Sequence, residues 1–190
     1  SETGALTTNG MSYSQRGSTL GNAAFIVPVE PPDFAGYPGP DTHPELAGLN
    51  FQLAIEQAAY KAGGGDFVVP ALMLSDFLTG KVSKSLPKER SCPRSQPASF
   101  TGILPEFVAA TLKAAMPKML RELNGVDIRS AVLYAAETRS SSPVRIIRTD
   151  EGVSPTLKGL YPAGEGAGYA GGIVSSAVDG LKTAELVVSD

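Results

Sequence analysis

A run of glycines directly ahead of an amphipathic segment constrains this 190-residue chain more than any other feature. The apolar run Gly159-Leu160-Tyr161-Pro162-Ala163 breaks into Gly164-Glu165-Gly166-Ala167-Gly168-Tyr169-Ala170-Gly171-Gly172. From Ile173 onward, Val174, Ala177, Val178, Leu181, Ala184 and Val188 recur at spacings of three and four, with Ser175, Ser176, Asp179, Lys182 and Glu185 between them. This order predicts a strand, a glycine turn and a helix whose apolar stripe packs against a sheet. Glycines at such a corner allow positive φ and close approach, and the unpaired N–H groups of the first helical turn carry about half a positive charge. The corner suits a phosphate or the electron-rich edge of a ring. The alternative is a tight strand-to-helix connection in which the glycines serve packing alone.

Gly166, Gly168 and Gly171 satisfy the dinucleotide pattern G-x-G-x-x-G. In a dinucleotide-binding unit that turn opens the fold, and an acidic strand end follows about twenty residues later. Here the sequence reaches Asp190 first, so the pattern reads as a turn that closes a domain.

Residues 159–173, with Ser175, Ala177, Gly180 and Ala184, resemble the C-terminal flavin-binding motif of a family of FAD-dependent dehydrogenases within the glutathione-reductase-like flavoproteins. Asn9-Gly10-Met11-Ser12-Tyr13 and Glu137-Thr138-Arg139-Ser140-Ser141-Ser142-Pro143-Val144-Arg145-Ile146 resemble two further signature stretches of those proteins. The resemblance implies FAD as cofactor and a small-molecule substrate. It also implies that this chain is a C-terminal portion, whose partner is the missing N-terminal half of the same polypeptide. That half would hold the first strand, its glycine turn and the ribose-binding acidic residue, and the portion alone is expected to be inactive and to bind FAD weakly.

The cofactor-binding residues implied are Gly164, Glu165, Gly166, Ala167, Gly168, Gly171, Gly172 and Ile173. Glu165 falls at an acidic position that hydrogen-bonds a hydroxyl or phosphate-side group of FAD, where many relatives carry Asp. Glu137 and Arg139 are the candidate catalytic residues. As residues alone they read as an ion pair at a strand end; by resemblance, Arg139 would orient an anionic substrate or stabilise charge on reduced flavin, with Glu137 positioning it. Residues 9–13 read by themselves as a hairpin turn; the resemblance makes Met11 and Tyr13 candidate substrate-binding residues.

Net charge of −3, 7% aromatic content and no tryptophan give no basic field for nucleic acid. The longest apolar runs, residues 23–29 and 171–178, fall far short of the roughly twenty residues of a membrane span, so no membrane partner is expected and a cytoplasmic setting is the default. Cys92, the single cysteine, fits a reducing compartment and reads as a plain thiol in a polar loop. His43 is the single histidine and sits among prolines. A catalytic triad or a multi-histidine metal site is therefore not expected, and with no clustered Asp/Glu motif no metal is expected.

Residues 23–29 read as a strand ending at proline, and residues 31–44, with five prolines and two glycines, as a long extended loop. Residues 44–62 predict a helix stopped by Gly63-Gly64-Gly65, and Phe67-Val68-Val69 a returning strand, together a small mixed layer. Residues 81–100, rich in Lys, Arg, Ser and Pro, predict a mobile solvated loop. Residues 104–123 predict a helix that Pro117 kinks or splits, with Val108, Leu112, Ala115, Met119 and Leu123 as its stripe. Residues 131–136 and 144–148 read as strands, with a turn at 140–143.

The fold class expected is α/β, a mixed α+β fragment: a small mixed substrate or cap region over residues 1–128, with mobile loops at 30–44 and 81–100, then the C-terminal strand-turn-helix of a flavin-binding domain over 129–190. The alternative function is a self-contained, non-enzymatic ligand- or protein-binding module.

Overall fold

The computed structural model describes residues 1–10, 14–15, 17–37, 43–122 and 128–189. In chain order its elements are α1 (Pro31–Phe34), a 3-10 turn (Pro44–Leu46), α2 (Ala47–Ala62), β1 (Val69–Met73), α3 (Leu74–Thr79), β2 (Ser95–Pro97), α4 (Glu106–Glu122), a second 3-10 turn (Ile128–Ser130), β3 (Val132–Tyr134) and α5 (Ile173–Ser189). The architecture is mixed α and β, in agreement with the expected class. Two compact units are distinguished: Ser1–Glu30 with Leu53–Thr138, and Pro31–Gln52 with Arg139–Asp190. The division falls within α2, after Gln52. No helix among the described residues is long and apolar enough to cross a membrane.

The first unit is built around a three-stranded sheet in the order β2-β1-β3. β1 runs parallel to β2, with Val69 opposite Ser95, and antiparallel to β3, with Ala71 opposite Tyr134. The returning strand thus starts at Val69 and continues to Met73, two residues later than expected at its start and four at its end. Phe67 has φ of 56° and belongs to the turn, while Pro70, the second residue of β1, disguises the strand. Proline cannot donate to a ladder and normally marks an edge. The glycine stop of α2 has a clear cause: Gly64 and Gly65 take φ of 80° and 82°, and a Cβ on Gly63 would lie 1.8 Å from the Val68 carbonyl oxygen.

α4 crosses Pro117 as one helix, so of the two expected effects, a kink or a split, the split does not occur. Pro117 is exposed, and the buried stripe runs through Met116 and Leu120 while Met119 is 48% exposed. Met116 and Leu120 join Leu72, Phe77, Phe100 and Ile103 in the core of this unit. Two further expectations are corrected. Residues 23–29 form no strand, and Ile26 and Val29 are exposed; Pro28 within the run has no N–H to give a ladder. The segment 81–100 is also less loose than expected: residues 95–97 form β2, and Arg90 donates to Ser95 Oγ at 2.9 Å, to the Pro87 carbonyl at 2.8 Å and to the Pro93 carbonyl at 2.8 Å.

In the second unit, α1 replaces the start of the expected extended loop, proline being tolerated in a first helical turn. Phe51 packs edge-on against Tyr37, ring centroids 5.1 Å apart, and near Phe34 at 6.2 Å. Residues 144–148 and 159–163, read as strands, form none. Their polar groups are taken elsewhere: Ile146 N–H donates to the Ala167 carbonyl, Arg148 N–H to the Tyr169 hydroxyl, Ser154 N–H to the Leu160 carbonyl, and the Arg148 guanidinium to the Pro162 carbonyl. α5 begins at Ile173 as the sequence predicts. Its apolar stripe is exposed rather than packed on a sheet, which corrects the expectation.

Candidate functional site

The glycine turn of the second unit is a tight, internally bonded loop. Gly164 and Gly168 take φ of 69° and 81°, so both need glycine's freedom. Tyr169 N–H donates to the Gly164 carbonyl at 3.1 Å and Gly168 N–H to the Glu165 carbonyl at 2.9 Å, closing the loop on itself. A Cβ on Gly168 would stand 2.5 Å from the Val144 carbonyl oxygen and 3.0 Å from Arg145 Cα, so this glycine is required by backbone packing. Gly166 differs: nothing lies within 4 Å of its Cβ position.

The segment Ser141 to Ile146 lies against this turn. Ser142 Oγ donates to the Val144 carbonyl at 2.9 Å and reaches the Gly166 carbonyl at 3.4 Å. Ser141 Cβ lies 3.9 Å from the Cβ position of Gly171, and Arg145 Nε donates to the Gly168 carbonyl at 3.1 Å. The later part of the 137–146 stretch, from Ser141 on, therefore packs against the glycine turn.

A partly buried polar clamp, not visible in the apolar pattern, fixes the turn to α5. Arg148 forms a two-point ion pair with Asp179, at 2.7 Å and 3.0 Å, with each side chain less than a fifth exposed. Asp179 Oδ2 also accepts the Gly164 N–H at 2.8 Å. The Arg148 guanidinium lies 3.8 Å from the centre of the Tyr169 ring, with Arg145 at 5.0 Å from the same centre. Thr183 Oγ1 accepts from Arg148 at 3.3 Å. The Arg148 hydrogen bond, followed by that from the Gly164 N–H, holds the Asp179 carboxyl down at about 2. The same hydrogen bond raises Arg148 above its ordinary value, against the opposing effect of burial. Ser176, Asp179 and Thr183, spaced three and four apart, were the available signal: a polar stripe on the opposite side of α5 from the apolar one.

At the start of α5, Gly172 N–H donates to Ser175 Oγ at 3.1 Å and Ser176 N–H to the Gly172 carbonyl at 2.8 Å. The N–H groups of Ile173, Val174 and Ser175 have no acceptor in the helix, and no protein partner among the described residues. Gly171, Gly172 and Ile173 are exposed, Ile173 to 92%. Small residues and open backbone therefore leave three donors accessible to an electron-rich ligand.

Of the remaining sequence-derived residues, Glu165 is exposed at the turn and Ala167 is buried beneath it. Glu137 is exposed in the first unit, and Arg139 is exposed in the second. Between them Thr138 donates to the fully buried Glu56 carboxylate at 2.6 Å, and its oxygen lies 3.2 Å from Thr7 Oγ1. This anchors the end of the first unit from inside. Met11 and Tyr13 lie outside the described residues.

Comparison with known proteins gives two findings. The family described as "FAD-dependent protein, C-terminal domain-like" matches residues 1–140. An uncharacterized protein of Clostridium beijerinckii is 38% identical over 190 residues, a match covering 99% of this chain and 34% of that protein. The chain thus spans about a third of the length of the curated relative it matches.

Proposed function

Because the chain belongs to the FAD-dependent protein, C-terminal domain-like family, we propose that it is the C-terminal portion of an FAD-dependent oxidoreductase. We assign that enzyme to the dehydrogenase type, within the glutathione-reductase-like flavoproteins and in a cytoplasmic setting. The observation that carries the reading is the exposed start of α5: three N–H donors without an acceptor among the described residues, behind a glycine turn clamped by Asp179.

In this reading the residues fit the flavin-ring side of an FAD site. The backbone at Gly166, Gly171 and Gly172 stands open to close approach, with only Ser141 and Ser175 side chains near those Cβ positions. The N–H groups of Ile173, Val174 and Ser175 would face the pyrimidine edge of the ring and favour negative charge there by about 0.3–1 kcal/mol, and at most about 2 kcal/mol. FAD, when bound, supplies the hydride and electron chemistry. Glu165 would accept from a cofactor hydroxyl or meet its phosphate side. Arg139 would orient an anionic small-molecule substrate, Glu137 would position Arg139, and Met11 and Tyr13 would line the substrate cavity. Residues 1–128 would serve the substrate side and residues 129–190 the flavin side. The adenosine and pyrophosphate would rest on the upstream part of the same polypeptide, so the 190-residue chain alone would be inactive and hold FAD weakly.

One observation favours a second reading, a non-enzymatic binding module: Gly168 is accounted for by its positive φ and its packing against Val144 and Arg145. The two readings separate at Gly172. Its φ is ordinary and a Cβ there meets only Ser175 Oγ, at 3.3 Å, so Gly172→Leu leaves the turn folded while filling the approach to the N–H groups. In the complete polypeptide the first reading expects this variant to lose flavin on purification while keeping its circular dichroism spectrum. Flavin content equal to that of the unaltered protein would favour the second.

A further inference from the structure

α5 is a helix with two committed faces. Ser176, Asp179 and Thr183 are turned toward the loops of the second unit, where Asp179 and Thr183 hold Arg148 and the glycine turn. Ile173, Val174, Ala177, Leu181, Ala184 and Val188 lie on the other side, within an arc of about 100° at helical periodicity. That arc is bare: Ile173, Val174, Leu181 and Val188 are 92%, 75%, 67% and 83% exposed, and Ala177 and Ala184 are exposed as well. A contiguous stripe of this kind marks an interaction surface, and the helix cannot hide it by rolling because its polar face is fixed by the Arg148–Asp179 pair. Alanine at two of the six positions keeps the stripe shallow, so a broad apolar layer can approach the helix closely.

We propose that this stripe is the seam by which α5 docks on an apolar layer formed by the rest of the same polypeptide. The Clostridium beijerinckii relative matches 99% of this chain, so its similarity runs through α5, and about two thirds of that protein lies outside the match. The inference rests on the reading above, that the chain is the C-terminal portion of a longer protein. It adds which surface makes the junction. It also makes α5 a mechanical link, with the remainder of the polypeptide against one side and the glycine turn against the other.

The test is thiol labelling. In a Cys92→Ser background, single cysteines are placed at Ala177 and Leu181 in the stripe, and at Lys182, which is exposed beside it, as control. A small neutral thiol reagent is applied to the 190-residue chain and to the complete polypeptide encoded in the same reading frame. The expected result is that Ala177→Cys and Leu181→Cys react about 100-fold more slowly in the complete polypeptide, while Lys182→Cys reacts alike in both. Ala177→Cys is the milder substitution, so it reads the seam even if Leu181→Cys weakens the fold. Equal rates in the two proteins overturn the proposal, as does a reading frame that encodes nothing beyond this chain. Protection already present in the 190-residue chain also overturns it: with concentration dependence it identifies a second copy as the occupant, and without it the chain's own first unit. Flavin content is read separately on the same samples. Protection without flavin removes the proposed cofactor role and leaves the seam, and flavin without protection does the reverse.

Discussion

Replacing Asp179 by asparagine keeps the shape of the side chain and removes the charge on which the glycine turn is hung. The carboxylate accepts two guanidinium hydrogen bonds, at 2.7 Å and 3.0 Å, and one backbone N–H, at 2.8 Å. Its pKa of about 2, against an ordinary 3.8, reports how strongly the folded protein prefers the charged form. At about 1.4 kcal/mol per pKa unit the ceiling is near 2.5 kcal/mol. Residual exposure of 16% at Asp179 and 18% at Arg148 admits solvent screening, which brings the expected loss to about 1–2 kcal/mol. Because the folded pKa lies below the unfolded one, this contribution is complete above the unfolded value of 3.8 and disappears as pH falls toward 2. Hydrogen exchange at the Gly164 amide, with urea unfolding in parallel, measures it at neutral pH and again near pH 2. The variant should exchange faster at neutral pH, by the factor that 1–2 kcal/mol implies, about 5- to 30-fold, and the gap should close at pH 2. No gap at neutral pH, or a gap that survives unchanged at pH 2, would refute the assignment of Asp179 as the electrostatic clamp of the turn.

Gly168→Ala should destabilise the second unit by about 2 kcal/mol or more, since left-handed backbone costs about 1–2 kcal/mol and the new Cβ meets Val144 backbone at 2.5 Å. Gly166→Ala, with nothing within 4 Å of its Cβ position, should stay within about 0.5 kcal/mol, and the two are compared by thermal unfolding. Met116→Ala, at a side chain only 1% exposed, should cost the first unit about 2–5 kcal/mol in urea titration.

What the sequence disclosed and what it hid divide along physical lines. Helices α2, α4 and α5 were legible because apolar periodicity and glycine or proline punctuation are local signals. The strands were less so. β1, the central strand, carries Pro70 as its second residue, and β2 is three residues in a segment dominated by charge and proline. The runs at 144–148 and 159–163 have strand-like composition, yet their donors and acceptors go to the glycine turn, Tyr169 and Arg148. A strand is defined by its neighbour, and composition does not name one.

The candidate site shows the same split. The glycine turn and the helix start were placed correctly because glycine spacing is a local constraint, and the link between Ser141–Ser142 and Gly166–Gly171 joins two stretches noted independently. The relation of Arg148, Tyr169 and Asp179 is tertiary and has no local sequence signal: 31 positions separate the two charges of the ion pair. The direction in which the α5 stripe faces is likewise not a local property. Apolar periodicity shows that a face exists, and only the polar stripe of Ser176, Asp179 and Thr183 shows which face this chain itself uses.

The central claim is that the start of α5 faces the flavin ring. It is tested most directly by following the backbone amide resonances of the complete, isotope-labelled polypeptide as FAD is added to its apo form. The account predicts that the amides of Ile173, Val174 and Ser175, which have no acceptor among the described residues, move most among those of α5 and become protected from exchange. Stoichiometric flavin binding that leaves those three amides unmoved would contradict it.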